Sequence, residues 1–225
     1  MFDLVLNHVS AKSDWFRKYL EGDERYAAFF VETDPSDDDL SMVTRPRTTP
    51  LLNGARTQHG MRYVWTTFSS DQIDLDFRNP DVLFEFLDLL LNYVSRGGRI
   101  VRLDAVAFLW KRLGTTCQNL PEAHVIIQAY NSLARIAAPA MVFKSEAIVH
   151  PDEVRKYISL EECPLSYNPQ LMALLWDALA TRDARVLQRA MRRRFAIPEG
   201  CAWINYVRCH DDIGWAFSDD DLQAA

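Results

Sequence analysis

A chain of 225 residues with 48% hydrophobic and 25% charged positions has the material for a sizeable core and is too apolar to remain disordered. Its formal net charge of -6 and pI near 5.4 exclude a broad phosphate-neutralising surface, so neither nucleic acid nor an anionic membrane is expected as a partner. Cys117, Cys163, Cys201 and Cys209 form no CxxC pair, no apolar run approaches roughly 18 residues, and no signal-peptide pattern opens the chain; the expectation is a cytoplasmic protein without metal, cofactor or disulfide framework.

In chain order, Met1 to Leu6 reads as a buried strand already under way, which makes the chain resemble a piece of a larger sheet. Residues 9–79 are rich in Asp, Thr, Pro and Arg and lack a steady period. A connection that long is normally a functional insertion, so it is expected to form a small inserted subdomain that overhangs the site. Asp81 to Ser95 carries apolar residues at helical spacing and stops at Gly97-Gly98. Arg99 to Leu103 is a second strand, and Pro121 to Ala137 is a helix with proline in its first turn. Met141 to Lys144 is a third strand and Asp152 to Ile158 a short helix. Pro169 to Ala180 and Asp183 to Phe195 form a helical pair, and Ala202 to Tyr206 is a last strand. The basic run from Arg189 to Arg194 reads as a solvated helix face.

Short apolar strands alternating with helices imply parallel strands, buried on both faces and joined by right-handed crossovers. No GxGxxG follows a strand, so a dinucleotide-binding sheet loses its usual support and a (β/α)8 barrel is favoured. In such a barrel, side chains at the strand ends face the active site. Four polar clusters stand at strand ends here. Asp3, Val5 and Asn7 share one side of the first strand, with His8 at its tip. Arg102 and Asp104, two apart, point the same way, and the cation keeps the carboxylate ionised as a nucleophile requires. Glu146 ends a strand otherwise built from apolar side chains, a setting that raises a carboxyl pKa and suits a proton donor. His210-Asp211-Asp212 follows the last strand. With no further His or Cys at ligand spacing, that triplet is not expected to hold a metal.

Asp104 precedes Glu146 by 42 residues and Glu146 precedes Asp211 by 65, against roughly 30 for one βαβ unit. One unit and then two are implied, with a strand between Glu146 and Asp211. One ionised and one protonated carboxyl, about 5 to 5.5 Å apart, are what retaining glycoside cleavage needs, and a third carboxylate can favour the oxocarbenium-like state.

These residues also resemble glycoside hydrolase family 13, the α-amylase superfamily. Its ordered motifs appear as Asp3-Leu4-Val5-Leu6-Asn7-His8, Gln72-Ile73-Asp74-Leu75-Asp76, Arg99 through Ala105, the Glu146 motif, and Tyr206 through Asp211. The resemblance runs through essentially the whole chain, residues 1–225. It implies a partial (β/α)8 barrel, about strands 3 to 7, with subdomain B at residues 9–79 after strand 3. By resemblance Asp104 is the nucleophile, Glu146 the acid/base and Asp211 the transition-state stabiliser. His8, Arg102 and His210 line the glucose subsite with Asn7 beside them, Ile148 and Asp212 flank the subsites, and Arg208 contacts the donor's fructosyl side or an acceptor. Family α-amylases often bind calcium near Asn7, the sucrose-acting branch generally not, so no metal is expected.

Two branches compete. Phe143 through Pro151 and Tyr206 through Trp215 are similar to amylosucrase, which moves glucose from sucrose to an α-glucan and releases fructose. Gln72 through Tyr93 is similar to sucrose phosphorylase and its glucosylglycerate-acting relatives, and sucrose hydrolysis is a further alternative. The resemblance also implies two earlier strands, an eighth strand and a C-terminal β-domain around this segment, so the isolated chain is expected to expose strand edges and to fold or act poorly. A non-catalytic, membrane-anchored transporter subunit of the same superfamily would have lost the carboxylates that stand here.

Overall fold

The computed structural model of the chain describes residues 1–36, 38–193, 195–211 and 213, with the backbone alone at 38, 39 and 193. Its strands are β1 (Phe2–Val5), β2 (His8–Ser10), β3 (Leu52–Thr57), β4 (Gly60–Trp65), β5 (Gln72–Asp74), β6 (Ile100–Asp104), β7 (Val142–Ser145), β8 (Leu165–Tyr167) and β9 (Ala202–Ile204). Its helices are α1 (Asp14–Leu20), α2 (Pro80–Ser95), α3 (Pro121–Ala137), α4 (Pro151–Val154), α5 (Pro169–Thr181) and α6 (Arg185–Arg193). The chain divides into two compact units.

The first unit comprises Met1–Asp3, Gly98–Asp104 and the described part of Ile126–Ala225. It is organised by a five-stranded sheet in the order β1-β6-β7-β8-β9, in which β6 with β7, β7 with β8 and β8 with β9 are parallel. The register sets Arg102 beside Lys144 and Leu103 beside Ser145. Val101, Leu103 and Phe143 are fully buried, as strands covered on both faces require. Ile127, Tyr130 and Ala134 of α3 are buried at the spacing of one helical face. Asn168 begins α5: its side chain accepts a hydrogen bond from the Leu171 N–H, and Pro169 follows at the first turn, where a missing N–H is harmless. Its amide nitrogen also donates to Asn205 Oδ1, tying the loop after β9 to the start of α5. Asn168→Ala should therefore cost about 1–2 kcal/mol, measured by urea unfolding, with the slope of the transition unchanged.

The second unit comprises Leu4–Gly97 and Ala105–Val125. Residues 9–79 lie within it and form α1, the antiparallel β3–β4 hairpin and the antiparallel β2–β5 pair, with short 3-10 turns between. Val31, Val43, Leu51, Trp65 and Cys117 make one core cluster. Phe16 and Tyr19 of α1 meet Phe30 edge-on at 5.1 and 5.2 Å, a preferred aromatic geometry. On α2, Val82, Phe86 and Leu90 recur every fourth residue on its buried face, and Gly97 takes a φ of 82° just past the helix, where glycine alone carries no steric cost.

Three sequence expectations are corrected and a fourth is met. The strand expected over 202–206 stops at Ile204, and its exposed-to-intermediate burial, like the exposed Asp3 on β1, departs from the doubly buried pattern because these strands end the sheet. The helix expected over 152–158 is one turn of α4 followed by a 3-10 turn at Arg155–Tyr157. Asp183 precedes α6 instead of opening it, accepting a hydrogen bond from the Arg185 N–H. The strand required between Glu146 and Asp211 is β8.

Candidate active site

Arg102 organises the acidic residues of the first unit. It lies on β6 with its side chain 7% exposed, and its Nη1 donates to Asp3 Oδ1 at 2.6 Å and sits 2.8 Å from Asp104 Oδ1. Its Nη2 forms an ion pair with Glu146 Oε1. Three carboxylates from β1, β6 and the end of β7 thus converge on one guanidinium. Asp104 Oδ1 and Glu146 Oε1 both lie against the Arg102 guanidinium. Burial works against the Arg102 charge, but the hydrogen bond to Asp3 and the fields of Glu146 and Asp104 outweigh it and hold the guanidinium charged at any accessible pH.

The backbone delivers these groups. Glu146 N–H donates to the Leu103 carbonyl at 3.0 Å, extending the β6–β7 ladder one residue so that Glu146 leaves the strand beside Asp104. Directly after Asp104 the chain turns sharply: Ala105 takes a φ of 52°, left-handed backbone that a non-glycine residue adopts at a cost on the order of 1 kcal/mol. Strain at that position ends β6 at the carboxylate and leads into the 3-10 turn at Val106–Phe108.

Glu146 is 7% exposed, and its carboxyl is pushed up to about 8. Burial is the largest cause; a hydrogen bond to the Asp104 side chain and the Asp104 charge add to it, and Arg102 offsets only part. A carboxyl that keeps its proton at neutral pH beside a second carboxylate is the division of labour a proton donor and a nucleophile need. Arg102 restrains the repulsion between the ionised Asp3 and Asp104. Arg102→Met should destabilise the protein by about 3 kcal/mol, because it leaves Asp104, whose side chain is 17% exposed, without its partner. Denaturant unfolding at neutral pH measures the loss, which should shrink as the medium is made acidic.

The sheet interior adds groups that sequence reasoning passed over. Lys144, on β7 beside Arg102, is buried and places its Nζ 3.5 Å from the centre of the Tyr167 ring. Tyr206 packs edge-on against Tyr167 at 5.0 Å, with its hydroxyl buried. Burial raises the Tyr206 phenol, and the fields of Cys209, Glu146, Tyr167 and Asp211 add to the effect. That phenol is therefore in electrostatic reach of both Glu146 and Asp211. Tyr206 opens the motif that ends at Asp211 and Lys144 stands two residues before Glu146, but neither was given a role by the sequence, and Tyr167 carried no signal that separates it from ordinary core.

The stretch after β9 is held by the Trp176 indole, which donates to the Val207 carbonyl at 2.7 Å. Beyond it, Asp211 is partly exposed, with Oδ2 3.8 Å from His210 Nε2, and His210 and Arg208 are exposed. Ile148 is 36% exposed. Asp212 lies outside the described residues. The expectation that no third ligand stands near His210 and Asp211 is corrected: one ligand atom each from Cys209, His210 and Asp211 lie within 4.8 Å of one another.

In the second unit, Asn7 and His8 join a buried polar network. Lys111 Nζ lies 2.7 Å from Asp74 Oδ2 and donates to Asn7 Oδ1 at 2.7 Å and to the Phe108 carbonyl at 2.6 Å. Asp74 also accepts from the Thr67 N–H and hydroxyl. The Asn7 side-chain carbonyl is thus engaged by a cation the chain itself supplies.

Known proteins share this arrangement of strands. The description "Alpha amylase, catalytic domain" matches residues 1–212. Glucosylglycerate phosphorylases of Spirochaeta thermophila and Escherichia coli are each 40% identical over 95% of this chain, and a trehalose synthase/amylase of Mycolicibacterium smegmatis is 29% identical over 94%. The chain spans 36%, 39% and 37% of the lengths of these three relatives. The crystal structure of sucrose 6F-phosphate phosphorylase from Thermoanaerobacter thermosaccharolyticum superposes over 99% of this chain and 48% of its own, with a TM-score of 0.81 at 23% identity, a likeness of fold. No helix among the described residues is long and apolar enough to cross a membrane. With nearly every residue matched and the parallel strands in place, the chain belongs to the α-amylase family, as part of its (β/α)8 catalytic domain.

Proposed function

We propose that this chain carries the catalytic centre of an enzyme that transfers an α-glucosyl unit with retention, and that the transfer is of the phosphorylase type. The observation that carries the reading is the pair Asp104 and Glu146 on one guanidinium, with Glu146 protonated at neutral pH. In the first step the Asp104 carboxylate attacks the anomeric carbon, the glycosidic C–O bond breaks, and the Glu146 proton goes to the leaving oxygen. In the second step an oxygen of inorganic phosphate attacks the same carbon, Glu146 takes the phosphate proton, and Asp104 leaves as the carboxylate. Glucose 1-phosphate and the released alcohol are the products.

Asp211 is assigned the electrostatic support of the oxocarbenium-like state. Asn7, His8 and His210 are assigned contacts to the glucosyl unit, and Ile148, Arg208 and Asp212 contacts at its edges; these assignments rest on the motif resemblance. The 40% identity to glucosylglycerate phosphorylases favours this branch over the amylosucrase reading of Phe143 through Pro151. Donors of the first rank are therefore glucosylglycerate and sucrose. The intact protein that carries these residues, incubated with each donor with and without phosphate, should form glucose 1-phosphate only when phosphate is present. Growing glucan from sucrose would return the reading to the amylosucrase branch, free glucose alone would make the protein a hydrolase, and no turnover of any α-glucoside would defeat it.

A further inference from the structure

The polar network around His8 determines more than its position. Lys111 Nζ has only N–H groups to offer, so Asn7 Oδ1, 2.7 Å away, is the acceptor and the orientation of the Asn7 amide is settled. Its other end, Nδ2, stands 3.3 Å from His8 Nδ1 and can only donate. His8 Nδ1 must then present its lone pair, which leaves the ring proton on Nε2. On that side the Gln72 amide stands with its Nε2 2.8 Å from His8 Nε2 and with its Oε1 accepting from the Ser69 hydroxyl at 2.8 Å. A proton on His8 Nε2 therefore requires the Gln72 amide to turn over, bringing its carbonyl oxygen to His8 and its N–H to the Ser69 oxygen; a hydroxyl that can accept as well as donate allows this turn, whereas the Lys111 ammonium does not allow it in Asn7. Asn7, Asp74, Lys111 and His8 are all buried, so water does not blur this chain of roles.

We propose that Lys111 is a positioning residue that acts through Asn7 to hold His8 as the neutral imidazole with its proton on Nε2. Asp74 and the Phe108 carbonyl fix the ammonium, the ammonium fixes the amide, and the amide fixes the imidazole. The Phe68 ring, 5.5 Å from the imidazole and tilted against it, keeps the ring plane from turning over. The Nε2 proton so placed is held by the Gln72 carbonyl oxygen, which fixes the imidazole plane for its contact with the glucosyl unit; this last clause rests on the functional reading above.

Neutron diffraction from deuterated crystals of the intact protein tests the assignment, with Asn7→Asp as the informative variant. Aspartate keeps the shape and the contact with Lys111 but replaces the donating end by an oxygen. The expected result is deuterium on His8 Nε2 and none on Nδ1 in the wild type, and deuterium moved to Nδ1 in Asn7→Asp. Lys111→Met should spread deuterium over both nitrogens; where that variant fails to fold, Asn7→Asp carries the test. Deuterium on Nδ1 in the wild type, or no change in Asn7→Asp, overturns the proposal. Transfer is measured in parallel: kcat/KM of Asn7→Asp should fall about tenfold, the worth of one hydrogen bond. An unchanged kcat/KM with a moved deuteron overturns the positioning role. A wild type that transfers no glucose but carries its deuteron on Nε2 defeats the functional reading and upholds the tautomer.

Discussion

Asp104→Asn should lower glucosyl transfer by on the order of 10⁶-fold, the scale seen when a covalent catalyst loses its nucleophile. The substitution is nearly isosteric, and Arg102 keeps Asp3 and Glu146 as partners, so the variant is expected to fold. Removing the Asp104 charge also takes away one of the influences that hold the Glu146 proton, although burial, the largest, remains. Turnover of α-glucosyl fluoride with and without azide separates a missing nucleophile from a damaged fold. Because Asp104 attacks from the face opposite the leaving group, azide acting in its place should yield β-linked glucosyl azide and restore part of the rate. Recovery of an α-linked product, or turnover within tenfold of wild type, would remove Asp104 from the nucleophile's role.

The second large effect concerns Glu146→Gln. Loss of the proton donor should slow transfer from a sugar or glycerate leaving group by about 10²–10⁴-fold. α-Glucosyl fluoride, whose leaving group needs no proton, should be much less affected in the first step. The wild-type rate should fall as pH rises through about 8, where Glu146 gives up its proton, and Glu146→Gln should lack that limb. The same shift has a stability consequence with a definite sign. The folded carboxyl titrates near 8, against an ordinary value of 4.5, so the native state binds the extra proton between those values. The stabilisation is fully present below about 4.5 and is lost as pH rises through 8. Glu146→Gln escapes that loss, so its melting temperature relative to wild type should be highest above pH 8. The gain should diminish toward pH 4.5, over a span worth on the order of a few kcal/mol. A difference in melting temperature that is flat across this range would mean that Glu146 is ionised in the folded protein.

The parts of this architecture legible in the sequence are those where one physical signal acts alone. The β6 and β7 strands show as apolar runs because both their faces are buried, and α2 and α3 show through helical spacing closed by Gly97 and opened by Pro121. Arg102 and Asp104 fall on one side of β6 by the two-residue period of a strand, so their contact follows from spacing. β8 escaped notice because its interior position is polar: Ser166 is fully buried and satisfied by Ser145, whose hydroxyl donates to it at 2.8 Å. Only the required distance from Glu146 to Asp211 announced that a strand was there. The Lys111–Asp74 pair was equally hidden, since its partners lie 37 residues apart and Lys111 follows an irregular turn. Asp3 was seen to share a side with Asn7, yet its bond to Arg102 depends on strand order in the sheet, which no local pattern encodes.

A covalent bond between the sugar and one carboxylate is what this site is expected to form, and that bond can be trapped. Glu146→Gln of the intact protein, mixed with α-glucosyl fluoride and quenched, should accumulate the glucosyl-enzyme because its formation needs no acid while its breakdown lacks a base. Peptide mass spectrometry should find one glucosyl unit, attached at Asp104. Glucosyl label on another residue, or release of product with inverted anomeric configuration and no labelled peptide, would contradict it.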